Sequence, residues 1–178
     1  MKFRSIMASS GLLAILAWGG NWSADSANAK INFSIKGPFG TVHGSFTGLK
    51  ATIQFNEKDL PGSSITASVE SKTVSTGIGL RNHDLRSKEM WLNTDKYPEI
   101  SFRSTKIERT DNGYKAGGVL ILKGITKVIE VPFTFSANEG SGLFKGGFTI
   151  NREDFKIGNK GGSVGENIDI TLEVPVKK

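Results

Sequence analysis

Apolar residues recur at every second position through most of this chain, and that period limits the fold more than any other feature. Successive side chains of an extended strand point to opposite faces. Each alternating segment therefore predicts a β-strand with one apolar face and one polar face. Nine segments carry the pattern: residues 31–35, 42–46, 51–55, 65–69, 100–102, 114–122, 129–135, 144–150 and 168–174.

Short turns join most of these segments. Asp111-Asn112-Gly113 and the run at 139–142 are typical examples, because Gly and Asn accept the backbone angles that tight turns need. The spacing leaves no room for helical crossovers, so neighbouring strands run antiparallel. The sequence predicts an all-β fold, a closed antiparallel lipocalin-like β-barrel of eight strands (or nine segments). A barrel of that size can hold one small ligand.

Composition narrows the class of protein further. The chain has 178 residues and no cysteine, which excludes disulfides, thiol chemistry and a lipidated N-terminal cysteine. The formal charge is +6, falling to +4 without Lys2 and Arg4. The basic residues are scattered and form no clustered stripe, so we expect no nucleic-acid partner.

The first twenty residues have the pattern of an export signal. Lys2 and Arg4 precede a short apolar run at 6–18, which is too short to span a membrane. We expect residues 1–20 to be a signal peptide, residues 21–178 to be the mature domain, and the mature protein to be periplasmic or secreted. A second cleavage site after Ala29 stays open, although it would remove Trp22.

One connection is too long for a hairpin. Residues 77–98 separate two predicted strands, and long connections in compact domains tend to be functional or to carry structure of their own. A polar start at 81–86 leads to an apolar end at 90–92. The pattern predicts a short amphipathic helix over Asn82–Leu92, which would form a lid or plug at one mouth of the barrel.

Four motifs in this order resemble those of the YceI-like family of periplasmic lipid-binding β-barrels. The run from Arg81 to Phe102 matches an Arg-Asn/Asp-x-His/Asp-Leu start, an aromatic pair and a Tyr-Pro-x-Ile-x-Phe end, except that Trp91-Leu92 replaces two phenylalanines. Residues 118–127, 150–155 and 164–174 match a strand and turn, an Ile-Asn-Arg-x-Asp-Phe element and a closing strand. The resemblance covers about residues 22–174, and it implies a polyisoprenoid or a fatty-acid-like lipid as ligand.

The inward faces of the predicted strands and the apolar end of the lid supply the candidate ligand contacts. The small inward residues Gly44, Ala67, Ala116, Gly118 and Gly146 favour an open interior, although the aromatic residues could instead fill it. The candidates are Phe33, Phe46, Phe55, Val69, Met90, Trp91, Leu92, Phe102, Gly118, Leu120, Phe133, Phe135, Phe148 and Ile170.

Five polar residues are candidates for holding the lid or a ligand headgroup: Arg81, His83, Asp84, Arg86 and Arg152. The arginines can pair with nearby acids and pin the lid to the rim, the interpretation we favour, or they can bind an anionic headgroup. His83 beside Asp84 could form a hydrolytic dyad with a serine. No nucleophile motif accompanies it, so a structural or ligand-orienting role is favoured.

The sequence thus predicts an exported binding protein for a long-chain amphiphile, not an enzyme, with no cofactor and no metal. Two alternatives stay open: a solidly packed structural or interaction protein of the stress response, and a hydrolase. Transient contact with a membrane surface and assembly into a dimer are also compatible with the sequence.

Overall fold

The computed structural model describes residues 20–178, and these form a ten-stranded antiparallel sheet. The predicted signal peptide lies outside the described residues apart from Gly20. The strands are β1 (Asn21–Ala24), β2 (Lys30–Gly37), β3 (Gly40–Phe46), β4 (Lys50–Gln54), β5 (Ser64–Glu70), β6 (Glu99–Thr110), β7 (Gly113–Leu122), β8 (Ile125–Asn138), β9 (Ser141–Asn151) and β10 (Asn167–Lys177).

Eight strands close into a ring in the order β1-β4-β5-β6-β7-β8-β9-β10, because β1 pairs with both β4 and β10. Trp22 lies opposite Ile53 of β4, and Ala24 lies opposite Val176 of β10. The β2–β3 hairpin pairs with residues 168–173 of β10, on the part of that strand edge that β1 leaves free, and its inward residues continue the barrel wall. The prediction of a closed antiparallel eight-stranded barrel is confirmed, and β1 adds a tenth strand to the nine predicted segments.

One end of the barrel is filled by an aromatic cluster, which we call the aromatic floor. It consists of Trp22, Phe55, Tyr114, Phe133, Phe135 and Phe144. Phe55 is central, with its ring centroid 5.0 to 5.6 Å from four of the other rings. The indole Nε1 of Trp22 donates to the main-chain oxygen of Phe55 at 3.1 Å, which ties β1 to the segment that follows β4.

The polar atom of Tyr114 reaches the edge of this floor. Its hydroxyl donates to Oε1 of Glu57 at 2.5 Å, while the guanidinium of Arg109 lies 5.0 Å from the centre of the tyrosine ring. Burial raises the pKa of Tyr114, and the hydrogen bond to Glu57 raises it further. The hydroxyl therefore stays protonated and keeps its partner, so the floor buries no unpaired phenol.

A second apolar cluster lies towards the other end of the barrel, and the helix α1 (Gly79–Ser87) lies beside the opening at that end. The predicted helix over Asn82–Leu92 was misplaced, since α1 begins three residues earlier and ends five residues earlier. Lys88 has extended backbone angles (φ −81°, ψ 134°), which stop the helix, and residues 89–92 form turns. No helix in residues 20–178 is long and apolar enough to cross a membrane.

The central position of Phe55 makes it a test of the floor. We expect Phe55→Ala to lower the free energy of unfolding by about 3–5 kcal/mol, because it removes the ring that the other aromatics pack against. The control Val128→Ala changes an exposed side chain of β8 and should alter stability by less than about 0.5 kcal/mol. Urea denaturation followed by circular dichroism measures both, and equal effects would contradict the packing described here.

Candidate functional site

A cavity of about 1020 Å³ lies inside the barrel. Phe133 and Phe144 of the aromatic floor form its closed end, and the wall reaches the fully exposed Phe39 at the turn between β2 and β3. Because one part of the wall is buried and another stands in solvent, the cavity opens at the end opposite the floor. Its wall is built mainly from the inward aliphatic and aromatic residues of the strands.

Small side chains on adjacent strands leave this space open. Ala51 of β4 lies opposite Ala67 of β5, and Ala67 lies opposite Phe102 of β6, so two methyl groups face the interior side by side. Ala116 of β7 adds a third small wall position. Large residues at these places would fill the interior, as the rings of the floor do below. The cavity is therefore a consequence of where the alanines lie around the ring.

Gly146 lies on the cavity wall as predicted, but Gly118 and Gly44 contribute differently from the prediction. A Cβ at Gly118 would lie 2.7 Å from the ring of Phe102 and would also overlap the main-chain oxygen of Arg103. The ring of Phe33 occupies the corresponding space at Gly44. These glycines seat neighbouring aromatic rings against the sheet instead of widening the cavity. Gly118 is accordingly absent from the cavity wall.

Ten of the predicted ligand contacts lie on the cavity wall and four lie elsewhere. Phe55 and Phe135 are inside the aromatic floor, Gly118 is covered by Phe102, and Met90 is exposed. The expectation that Met90 points into the mouth is therefore corrected. The wall positions are Phe33, Phe46, Val69, Trp91, Leu92, Phe102, Leu120, Phe133, Phe148 and Ile170.

The sequence reasoning left out wall residues of two kinds. Inward aliphatic residues of the strands share the same period of two and could have been found from it, namely Ile31, Ile35, Val42, Ile53, Ile65, Ile100, Ile150, Ile168, Leu172 and Val174. The mouth residues could not have been found in this way, because they lie in a turn and at the start of a helix, where no strand period applies. They are Phe39, Ile78 and Leu80.

Asn82 and Arg86 hold α1 to the chain that precedes it. The side-chain Oδ1 of Asn82 accepts hydrogen bonds from the main-chain nitrogen of Thr76 at 2.8 Å and from its hydroxyl at 2.7 Å. Nη2 of Arg86 donates to the main-chain oxygen of Val74 at 2.7 Å. Arg86 is one of the five polar residues that the sequence suggests for holding the lid, whereas Asn82 is not among them.

The remaining polar candidates near α1, Arg81, His83 and Asp84, lie in different surroundings. Arg81 and Asp84 contribute to the cavity wall near its mouth, and Asp84 also forms a salt bridge of 2.7 Å with Lys88 one turn later. His83 is exposed, and the hydroxyl of Ser87 donates to its main-chain oxygen instead of its imidazole. This arrangement provides no nucleophile bonded to a base. In residues 20–178 no group of three or more His, Asp or Glu side chains could hold a metal ion.

Arg152 is a structural clamp for the loop at 157–165. Its side chain is 1% exposed and donates to four main-chain oxygens at 2.8 to 3.0 Å, and Oε1 of Glu153 lies 3.7 Å away. The acceptors are the oxygens of Ile157, Asn159, Val164 and Gly165. Since Nε, Nη1 and Nη2 all donate to this loop, Arg152 fastens the loop instead of pinning the lid to the rim, and the geometry favours a structural role over a headgroup site.

Comparison with known proteins identifies the family of this barrel. The profile of the YceI-like domain matches residues 22–176, nearly all of the described chain. The chain belongs to the YceI-like family. A UPF0312 protein of Yersinia enterocolitica is 30% identical over 157 residues, covering 84% of this chain and 81% of that protein. A UPF0312 protein of Pectobacterium atrosepticum is 28% identical over 177 residues, covering 96% and 91%.

Solved structures share the fold of this YceI-like chain. BcnA of Burkholderia cenocepacia has a TM-score of 0.81 at 23% identity, covering 86% of this chain and 99% of that one. A polyisoprenoid-binding domain from Saccharophagus degradans, implicated in plant cell wall breakdown, has a TM-score of 0.67 at 13% identity, covering 88% and 97%. At these identities the similarity concerns the barrel architecture alone.

The Arg152 clamp of this YceI-like barrel can be tested by removing its donors. We expect Arg152→Met to lower the free energy of unfolding by at least about 3 kcal/mol, because one buried and three partly buried hydrogen bonds from a charged donor are lost. Amide hydrogen exchange should also accelerate at residues 157–165. Arg103→Met, on the exposed face of β6, is the matched control and should change neither quantity. Unchanged exchange in the loop of the Arg152 variant would contradict the clamp.

Proposed function

We propose that this protein is an exported binding protein that holds one long-chain amphiphile, a polyisoprenoid or a fatty-acid-like lipid, inside its barrel. The observation that carries the proposal is the apolar cavity of about 1020 Å³, closed by the aromatic floor and open at the opposite end. A deep apolar cavity with a few polar groups at its entrance suits a ligand with an apolar body and a polar end.

The wall accounts for affinity without a specific polar contact. Each methylene group transferred from water into such a wall contributes about 0.8 kcal/mol, so a chain of ten methylenes gains about 8 kcal/mol before the cost of ordering it. Arg81, Asp84 and Thr76 are polar wall residues near α1 and are our candidates for contact with the polar end. The wall then selects for length and apolarity more than for one named lipid.

The comparisons support this ligand class at the level of the fold. The solved neighbour from Saccharophagus degradans is a polyisoprenoid-binding domain, and its barrel superimposes on this chain over most of its length. Membership of the YceI-like family is consistent with binding instead of catalysis. The apolar wall of this chain is independent support, since it comes from its own residues.

The two alternative functions fit the geometry less well. A solidly packed structural protein is favoured by the aromatic floor, but the alanines above that floor leave a space that such a protein would fill. A hydrolase needs a nucleophile bonded to a base, and the surroundings of His83 offer none within residues 20–178. We therefore propose a binding function and no enzymatic activity.

Export is part of the proposal and rests on the charged and apolar pattern of residues 1–20. The position of β1 supports a cleavage site near residues 19–21. A cut after Ala29 would remove Trp22 from the aromatic floor and the strand that pairs with both β4 and β10. N-terminal sequencing of the protein from an envelope fraction tests this directly, and a mature chain starting at Lys30 would overturn it.

Filling the cavity should abolish binding without unfolding the barrel. We expect Ala67→Phe to weaken the binding of farnesol or palmitic acid about a hundredfold, because the new ring displaces three or four methylenes worth about 0.8 kcal/mol each. Fluorescence displacement or isothermal titration calorimetry measures the affinity. Mass spectrometry of lipid that co-purifies with the unmodified protein identifies the physiological chain.

The control for this experiment is Thr66→Phe. It adds the same ring one position earlier on β5, where the side chain points outward and is exposed. We expect Thr66→Phe to bind both probes with unchanged affinity, and both variants to keep the thermal transition of the parent within a few degrees. Unchanged binding by a folded Ala67→Phe variant would place the ligand outside this cavity.

Trp91 provides an intrinsic reporter of occupancy. Its side chain is half-buried on the cavity wall, whereas Trp22 is buried in the floor at the other end. We expect farnesol to shift the emission of Trp91 to shorter wavelength in a saturable manner, because the ligand replaces water beside the indole. Trp22→Phe removes the second tryptophan of the mature chain and isolates the signal. Emission that stays constant while calorimetry records binding would exclude Trp91 from the site.

A further inference from the structure

Three large apolar side chains stand in solvent around the open end of the cavity, and we call them the apolar rim. Phe39 is 102% exposed, Leu80 is 75% exposed and Ile78 is about half exposed. All three also form part of the cavity wall, so they surround its mouth. The other large apolar residues that are exposed in residues 20–178, Met90, Ile121 and Val128, are absent from that wall.

The rim is not needed to hold the barrel together. Phe39 lies in the turn between β2 and β3, beyond the last paired residues Gly37 and Gly40. Leu80 is five positions from Leu85, which packs against the second apolar cluster, so the two residues lie on different faces of α1. Exposed apolar residues clustered at a cavity mouth are a mark of an interaction surface.

Cations without an acidic partner flank the rim. Lys36 is at the end of β2, three residues before Phe39, and Arg81 follows Leu80 directly. Neither forms a salt bridge with any residue of 20–178, whereas the nearby carboxylate of Asp84 is paired with Lys88. The mouth therefore combines exposed apolar tips with unpaired positive charge.

We propose that the apolar rim docks the barrel mouth-first onto an anionic lipid bilayer, with Phe39, Ile78 and Leu80 entering the headgroup region and Lys36 and Arg81 facing anionic headgroups. Apolar side chains combined with basic ones are the chemistry that binds such surfaces. A second copy of this chain fits less well, because two rims brought face to face would place like charges together. The inference rests on the proposed function, since docking would let a lipid pass between bilayer and cavity without crossing water.

Vesicle flotation tests the docking surface. We expect the purified protein to bind vesicles of phosphatidylcholine and phosphatidylglycerol more tightly than vesicles of phosphatidylcholine alone. The double variant Phe39→Ser with Leu80→Ser should bind the mixed vesicles at least about tenfold more weakly, because it removes two apolar contacts. Lys36→Gln should weaken binding about fivefold, and only where phosphatidylglycerol is present. Val128→Ser is the matched control, being 80% exposed on β8 and outside the cavity wall, and should bind as the parent does.

The variant Ala67→Phe separates this inference from the proposed function. With the cavity filled and the rim intact, it should lose farnesol binding and keep vesicle binding. If the parent protein does not bind farnesol, the proposed function is refuted and the docking surface is not. Vesicle binding that is absent in the parent, or equal in the parent and the Phe39/Leu80 variant, would overturn the docking surface. The docking surface would also be overturned if light scattering showed that the parent protein is a dimer and that the Phe39/Leu80 variant is a monomer.

Discussion

Closure of the sheet by β1 is the constraint on which the rest of the structure depends. This strand of four residues pairs with β4 on one side and with β10 on the other. Without it, both neighbours would present unpaired backbone groups, the usual liability of an open sheet. The same strand carries Trp22 into the aromatic floor, where its indole bonds to the main chain at Phe55. Backbone pairing and core packing are thus fixed by one short segment, and the cavity above the floor exists only because the ring is complete.

The interior of this ring is divided by side-chain volume. An eight-stranded barrel is just wide enough to be filled by side chains or to hold one small ligand. Here the floor is filled, because six aromatic rings converge at one end. The space above it is open, because Ala51 and Ala67 lie side by side where larger residues would meet. Filled core and binding cavity are therefore two halves of one barrel. The floor supplies stability through burial, and the open half leaves apolar surface for a ligand to cover.

The segments around the mouth are held in position mainly by hydrogen bonds from side chains to the main chain, and less by contacts between side chains. Asn82 and Arg86 connect α1 to residues 74–76, and Arg152 fastens the loop at 157–165 through four carbonyl oxygens. These donors and acceptors specify position more strictly than surface salt bridges, whose net contribution is small. One group is left over: Nε of Arg86 is buried and makes no hydrogen bond within residues 20–178. A buried donor without a partner carries a desolvation cost, so the anchoring of α1 through Arg86 includes one unfavourable contribution.

The sequence by itself determined nine of the ten strands, the closed eight-stranded barrel, the presence of a capping helix and ten residues of the apolar wall. It could do so because a period of two assigns every residue of a strand to one face, and Phe33, Phe102 or Ile170 need no further information. What the tertiary structure decided is which inward residues meet each other. Phe55 and Phe135 share that period with Phe148, yet they belong to the floor, and Gly118 accommodates the ring of Phe102 instead of a ligand. Asn82 and Arg152 gain their roles from hydrogen bonds to irregular segments near them in the chain, which have no strand period to place them. Phe39 and Leu80 gain theirs from exposure at the cavity mouth, which no local pattern records.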